Sequence, residues 1–171
     1  MESAPEENIC KDELFNEVFE THSKDLFNFL YYKYGAGNNP HDVVQEAFIK
    51  LWNNCHKVIF DKARAFLFTV ANNHMLSDLA KKKTALNFAE TKPKSYSHET
   101  PEYLLEEKEY ESKLETAIAE LTEEQRVAFL LNRIEGKKHQ EIADMLGISR
   151  KAVEKRIYTA LAKLREKVEN I

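Results

Sequence analysis

Apolar residues return at three- and four-residue intervals along most of this chain, and little in it can make a tight turn. Leu14, Phe15, Val18 and Phe19 begin one such stripe, and Leu26, Phe27, Phe29, Leu30, Tyr31 and Tyr34 continue it with a thicker aromatic face. This is the period of an amphipathic α-helix, because positions three and four apart share one side of the helix. Four glycines and four prolines among 171 residues leave little material for hairpins, which argues against a β-sandwich or barrel. The pattern predicts an all-α protein.

The few breakers divide the stripes into two sets. Gly35-Ala36-Gly37-Asn38-Asn39-Pro40 ends the first helix, since glycine and asparagine tolerate left-handed turns. Asp42 then lies near the positive N-terminal end of a second helix, and Val43, Val44, Ala47, Phe48, Leu51 and Trp52 fall on its buried side. Asn53 to Lys62 reads as a loop. A third helix runs from about Ala63 to Lys83, with Phe66, Leu67, Val70, Ala71, Leu76 and Leu79 as its core face. From Thr84 to about His98 no period is sustained, and Pro93, Ser95 and Ser97 mark a linker. Pro101 suits the first turn of a short acidic helix through Tyr103, Leu104 and Leu105 that can run on into Leu114, Ala117, Ile118 and Leu121. Thr122 with Gln125 is a capping-box signal for a helix bearing Val127, Ala128, Leu130, Leu131 and Ile134, and Gly136 fits the C′ position that stops it. The organisation that follows is a polar tail (1–11), a small helical bundle (12–84), an acidic and polar linker (85–112) and a second small helical domain (113–171).

Several function classes drop out. No apolar run approaches the ~20 residues a bilayer-crossing helix requires, and the acidic N-terminus lacks a secretory pattern, so a cytoplasmic protein is expected. Cys10 and Cys55 are too few for a disulfide framework and lack zinc-ligand spacing. No Ser/His/Asp signature, phosphate-binding glycine loop or metal-spaced cluster is present, so neither an enzyme nor a cofactor or metal site is expected. The net charge of −4 hides a segregation: residues 62–83 carry five basic and one acidic residue and 137–165 eight and three, whereas 99–124 carry two and ten. Two basic stretches separated by an acidic one suit two contacts with a polyanion, although charge runs alone are more often solvated faces.

The C-terminal stretch decides between those readings. His139 to Leu146 forms one short helix, Gly147 breaks it and Ser149 can cap the next. The small Ala143 permits close helix crossing, and Ile148, Val153 and Ile157 lock the pair; Ala143, Gly147 and Val153 have helix-turn-helix spacing. The second helix carries Arg150, Lys151, Glu154, Lys155, Arg156 and Thr159. Recognition helices enter the major groove N-terminus first, so Ser149, Arg150 and Lys151 stand where bases or phosphates are met. Glu154 would accept from a cytosine amino group or pair with neighbouring lysines, and His139 reads as a surface residue at a helix start.

The N-terminal bundle adds a second, independent pattern. Asp42-Val43-Val44-Gln45-Glu46-Ala47-Phe48-Ile49-Lys50-Leu51-Trp52 resembles the region 2.2 helix of bacterial sigma factors. Ala65-Phe66-Leu67-Phe68-Thr69-Val70-Ala71-Asn72-Asn73 through Lys81-Lys82-Lys83 resembles regions 2.3 and 2.4, and Leu114 to Lys167 resembles region 4. Order, spacing and length are similar to the extracytoplasmic function (ECF) group of the sigma-70 family, over roughly residues 12–83 and 114–169.

The resemblance implies a sigma factor that binds RNA polymerase core and directs promoter-specific transcription initiation. Asp42, Gln45, Glu46, Ile49, Lys50 and Asn53 would contact the β′ clamp helices, and the C-terminal domain the β flap. Val58, Ile59 and Phe60 would form the loop that captures a base flipped from the −10 element, with Asn72 and Asn73 beside its pocket and Lys62, Arg64, Lys81, Lys82 and Lys83 on strand phosphates. Ser149, Arg150, Lys151, Glu154, Lys155, Arg156 and Thr159 would read the −35 duplex. The family also implies an anti-sigma partner, often membrane-anchored. Two points depart from its pattern: Lys137-Lys138-His139 stands where a Ser or Thr cap is usual, and Glu154 and Thr159 stand where basic residues are common. The alternative is a stand-alone helix-turn-helix regulator that binds DNA without polymerase, whose N-terminal bundle dimerises or senses a signal.

Overall fold

The computed structural model describes residues 8–86, 102–169 and 171, with side chains described for 8–82, 108–169 and 171. The chain divides into two compact units, Met1–Ala89 and Glu90–Ile171. Among the described residues the regular structure is helical, with a single isolated antiparallel bridge between Asn8 and Ile59.

The first unit holds α1 (Asp12–Tyr34), α2 (Pro40–Asn53) and α3 (Ala63–Leu86), each packed on the other two. Asp12 and Glu13 open α1, where carboxylates suit the N-terminal dipole. The helix ends at Gly35, whose φ of +83° favours glycine and whose N–H donates to the Tyr31 carbonyl at 2.8 Å. Asn39 takes a left-handed turn and Pro40 starts α2, where its missing N–H costs nothing. Leu26, Leu30, Leu51, Leu67, Ala71 and Met75 are fully or almost fully buried between the helices.

The second unit holds α4 (Glu102–Ala119), α5 (Glu123–Arg133), α6 (His139–Leu146) and α7 (Arg150–Lys167). α7 packs against the other three. Both arms of the capping box are made: the Gln125 N–H donates to Thr122 Oγ1 at 3.3 Å, and the Thr122 N–H to Gln125 Oε1 at 3.4 Å. Leu131, Ile142, Val153, Ala160 and Leu164 form the core. Arg156 and Lys167 bind Glu124 and Glu120, which tie α7 to the acidic segment before it.

Several expectations need correction. Trp52 is 43% exposed and stands edge-on to Phe15 with ring centres 5.0 Å apart. The apolar stripe of α2 is wider than the strip its neighbours cover. Leu76 is 50% exposed because Leu67, Ala71 and Met75 form the buried line of α3, and Leu76 stands about 100° around the helix from Met75. Phe19, Tyr31 and Ile134, all drawn as stripe residues, are exposed as well. Gly136 lies two residues past the cap of α5, not at C′; it takes φ +66°, and the Lys137 N–H returns to the Leu131 carbonyl at 3.1 Å. Helix α4 runs from Glu102 through Ala119, as the acidic helix expected after Pro101 does, while Pro93, Ser95 and Ser97 lie outside the described residues.

The tail and the cysteines also differ from expectation. Residues 8–11 are fastened to the first unit: Ile9 is fully buried, and its N–H donates to the Cys55 carbonyl at 3.3 Å. Cys10 and Cys55, 45 residues apart in sequence, form a disulfide. Spacing did not reveal this pair because only the fold brings the strap 8–11 against the loop after α2.

Candidate nucleic-acid interface

The helix-turn-helix is built by backbone preferences and two small residues. Gly147 adopts φ +66° and ends α6, and the Ile148 N–H donates to the Ala143 carbonyl at 3.0 Å. Ser149 Oγ accepts the Ala152 N–H at 3.2 Å and so caps α7. At the start of α6, where the family's hydroxyl cap is missing, the Lys138 N–H donates to the Glu141 carboxylate at 2.6 Å. A lysine side chain has no acceptor, so Glu141 supplies the one side-chain arm that this sequence allows.

Helix α7 buries Val153, Ile157, Ala160 and Leu164 and turns Arg150, Lys151, Lys155 and Tyr158 outward. Tyr158 is 77% exposed. It lies three residues after Lys155, on the same stripe as Lys151, and sequence reasoning missed this exposed hydroxyl, a group of the kind able to donate to phosphate. Glu154 is occupied: Arg150 Nε donates to its Oε1 at 2.9 Å, and His139 Nδ1 lies 3.6 Å away. Its partners are therefore arginine and histidine, not the neighbouring lysines. Arg156 turns away from this face to Glu124, 3.1 Å distant. The Thr159 hydroxyl donates to the Lys155 carbonyl at 2.7 Å.

In the first unit, the loop after α2 is seated by Cys55 and Val58, both buried. Val58 thus anchors the loop, and its side chain is not presented for stacking. Ile59 and Phe60 are half-buried, and Lys62 is exposed. Arg64 is half-buried close to His22; burial first, and then the Arg64 charge, hold the His22 pKa below its ordinary value, against a raising effect of Asp25.

The two asparagines of α3 have different roles. Asn72 Oδ1 accepts from the Tyr34 hydroxyl at 2.6 Å and from Lys33 Nζ at 2.8 Å, which ties α3 to α1. Asn73 is exposed, on a stripe with Ala65, Thr69, Leu76 and Ala80. Lys82 donates to Asn38 Oδ1 at 3.1 Å, and Lys81 lies 3.7 Å from Asp78. The side chain of Lys83 lies outside the described residues.

On α2, Asp42, Gln45, Glu46, Ile49, Lys50 and Asn53 are all exposed. Ile49 is 53% exposed, and Trp52, three residues further along α2, is exposed too, as is Phe19 of α1. Phe19 contacts Phe48 with ring centres 4.9 Å apart. An apolar centre rimmed by acids and amides is the composition of a protein-binding patch. Trp52 and Phe19 were missed because helical period assigns a side of the helix, not the width of the covered strip.

Comparison with known proteins agrees with this two-part arrangement. Residues 18–84 match the family model for sigma-70 region 2, and residues 111–164 match that for sigma-70 region 4. The chain is 25% identical over 166 residues to the ECF RNA polymerase sigma factor SigX of Bacillus subtilis, covering 92% of this chain and 85% of SigX. It is 28% identical over 160 residues to the ECF sigma factor SigL of Mycobacterium tuberculosis, covering 89% and 87%. Among solved structures, the sigma factor RpoE of Bartonella quintana, in complex with the anti-sigma factor NepR, shares the fold with a TM-score of 0.57 at 20% identity, over 89% of this chain and 94% of RpoE. With both sigma-70 regions matched in order and ECF relatives matched over most of their length, the chain belongs to the ECF sigma factors of the sigma-70 family.

Proposed function

We propose that this chain docks on the β′ clamp helices of RNA polymerase core through the exposed face of α2 and reads two promoter elements with separate units. The observation that carries the reading is a division of surfaces. The α2 patch has an apolar centre of Ile49 and Trp52, whereas α7 presents Arg150, Lys151, Lys155 and Tyr158. The first composition suits protein and the second suits phosphate.

In the −35 duplex, the N-terminal turn of α7 enters the major groove. Ser149, Arg150 and Lys151 meet the DNA first, and Glu154 competes with the DNA for the Arg150 guanidinium. At the −10 element, Ile59 and Phe60 flank the flipped base, and Asn73 with its α3 stripe borders the melted strand. Lys62, Lys81 and Lys82 hold its phosphates. Each basic surface is small, so DNA binding by either unit alone is weak and salt-sensitive. Tethering both to polymerase raises their effective concentration at one site. The second unit also contacts the β flap. The anti-sigma factor bound to the RpoE relative supports a partner of that class here. The protein acts in the cytoplasm, with polymerase, as a regulatory subunit and not as a catalyst.

The test is in vitro transcription and footprinting on a promoter library with and without core polymerase. Protection of paired −35 and −10 sites only in the presence of core supports the reading. Tight binding to palindromic sites without core would favour the stand-alone regulator.

A further inference from the structure

Cys10, Cys55 and His56 form a cluster at the loop that carries Ile59 and Phe60. The two sulfurs and a ring nitrogen of His56 lie within 4.8 Å of one another. Cys55 is buried, Cys10 is half-buried and His56 is exposed, so Cys10 is the more accessible residue of the disulfide. Beyond its junction with α1, where the Phe15 N–H donates to the Lys11 carbonyl at 3.0 Å, the strap 8–11 is held among the described residues by the Ile9 side chain in the core, the Ile9 N–H bond to the Cys55 carbonyl and the bridge from Asn8 to Ile59. Apart from that junction and the Ile9 side chain, every one of these contacts ends on the loop after α2.

We propose that Cys10 and Cys55 are a thiol–disulfide exchange site whose co-reactant is a dithiol, and that its redox state sets the mobility of loop 54–62. The proposal rests on the reading of that loop as the −10 contact. In the forward step a reductant thiolate attacks Cys10 Sγ, and the Cys10–Cys55 bond breaks. Cys55 leaves with the electron pair and takes a proton from water. The second thiol of the reductant, deprotonated, then displaces Cys10 as thiolate, which is protonated in turn. The protein disulfide gains two electrons and two protons, and the dithiol becomes a disulfide. In the closed form the strap is covalently bound to the loop. In the open form it is held by Ile9 and backbone contacts alone, and local opening of the loop becomes easier.

The experiment compares the full chain after dithiothreitol with the chain after oxidised dithiothreitol. Alkylation and mass analysis should find two free thiols in the first and none in the second. Hydrogen exchange of amides 55–62 should rise by about tenfold on reduction while α5–α7 are unchanged, an effect of the size that loss of a loop-closing crosslink allows. Cys10→Ser should show the fast exchange in both conditions. With core polymerase, the affinity for a probe premelted at −10 should differ between the two redox forms, while core binding should not. Three results would overturn the proposal: equal loop exchange in both forms, a disulfide that resists the dithiol in the folded chain, or a reduced chain that binds one zinc ion through these residues and keeps the loop closed. If the chain fails to bind core at all, the promoter reading falls, while the exchange data still decide the redox site.

Discussion

Asn72 Oδ1 accepts hydrogen bonds from Tyr34 Oη at 2.6 Å and Lys33 Nζ at 2.8 Å, whereas the adjacent Asn73 is exposed to solvent. Two neighbouring amides on one helix therefore separate into a scaffold residue and a surface residue. The separation follows from the helix: consecutive positions stand about 100° apart, so one can face α1 while the other faces outward.

Asn72→Ala should destabilise the first unit by about 1–3 kcal/mol, because it removes the two part-buried hydrogen bonds that tie α3 to α1. Asn73→Ala should change stability by no more than about 0.5 kcal/mol, as surface substitutions usually do, yet weaken binding to a premelted −10 probe in the presence of core. Urea unfolding midpoints and probe titrations measure the two effects separately.

Ile49→Ala should leave the melting temperature almost unchanged, since Ile49 is 53% exposed. Core binding should weaken by about 1–2 kcal/mol, the usual range for an apolar residue near the centre of an interface. Trp52→Ala should cost more in binding and also some stability, because its ring leans on Phe15. Calorimetric titration into core polymerase, paired with thermal melts, checks both variants.

Glu154→Gln should release Arg150 from its ion pair at 2.9 Å. The pair is exposed, so stability should change by less than about 1 kcal/mol. Affinity of the holoenzyme for −35 duplex should rise, and the slope of log affinity against log salt should steepen by about one, as for one additional phosphate contact. Salt titrations of both proteins give the slopes.

His22 provides a pH dependence. Its folded-state pKa lies below the unfolded value of about 6.5 because burial and Arg64 disfavour its charged form, with Asp25 opposing them. Below pH 6.5 the unfolded chain therefore binds more protons than the folded one. The stability contributed by neutral His22 is fully present above that value and is lost progressively as pH falls toward the lowered folded pKa. Urea midpoints of the first unit should drop as pH falls below about 6.5, and His22→Gln should flatten that part of the curve.

The helices were legible in the sequence because their causes are local. Periodic Leu30, Leu51 and Leu164, the Thr122–Gln125 box and the turn at Gly147 with its Ser149 cap each act within a few residues. What was not legible depends on residues far apart in sequence. Trp52 and Leu76 satisfy helical period yet face solvent, because only the packed bundle fixes how much of each stripe is covered. Arg156 looked like another outward base until Glu124 on α5 came within 3.1 Å. The same holds for Cys10 and Cys55, which meet through a tertiary contact. Glu154 was half legible: its spacing of four from Arg150 predicts a helical pair, but His139 joins it from another helix.

The central claim is most directly tested by equilibrium binding of the purified chain to RNA polymerase core that lacks its own initiation subunit. The account predicts a saturable one-to-one complex with a dissociation constant well below micromolar, weakened by Ile49→Ala and unaffected by Arg150→Ala. Absence of a complex, or one insensitive to the α2 face, would contradict it.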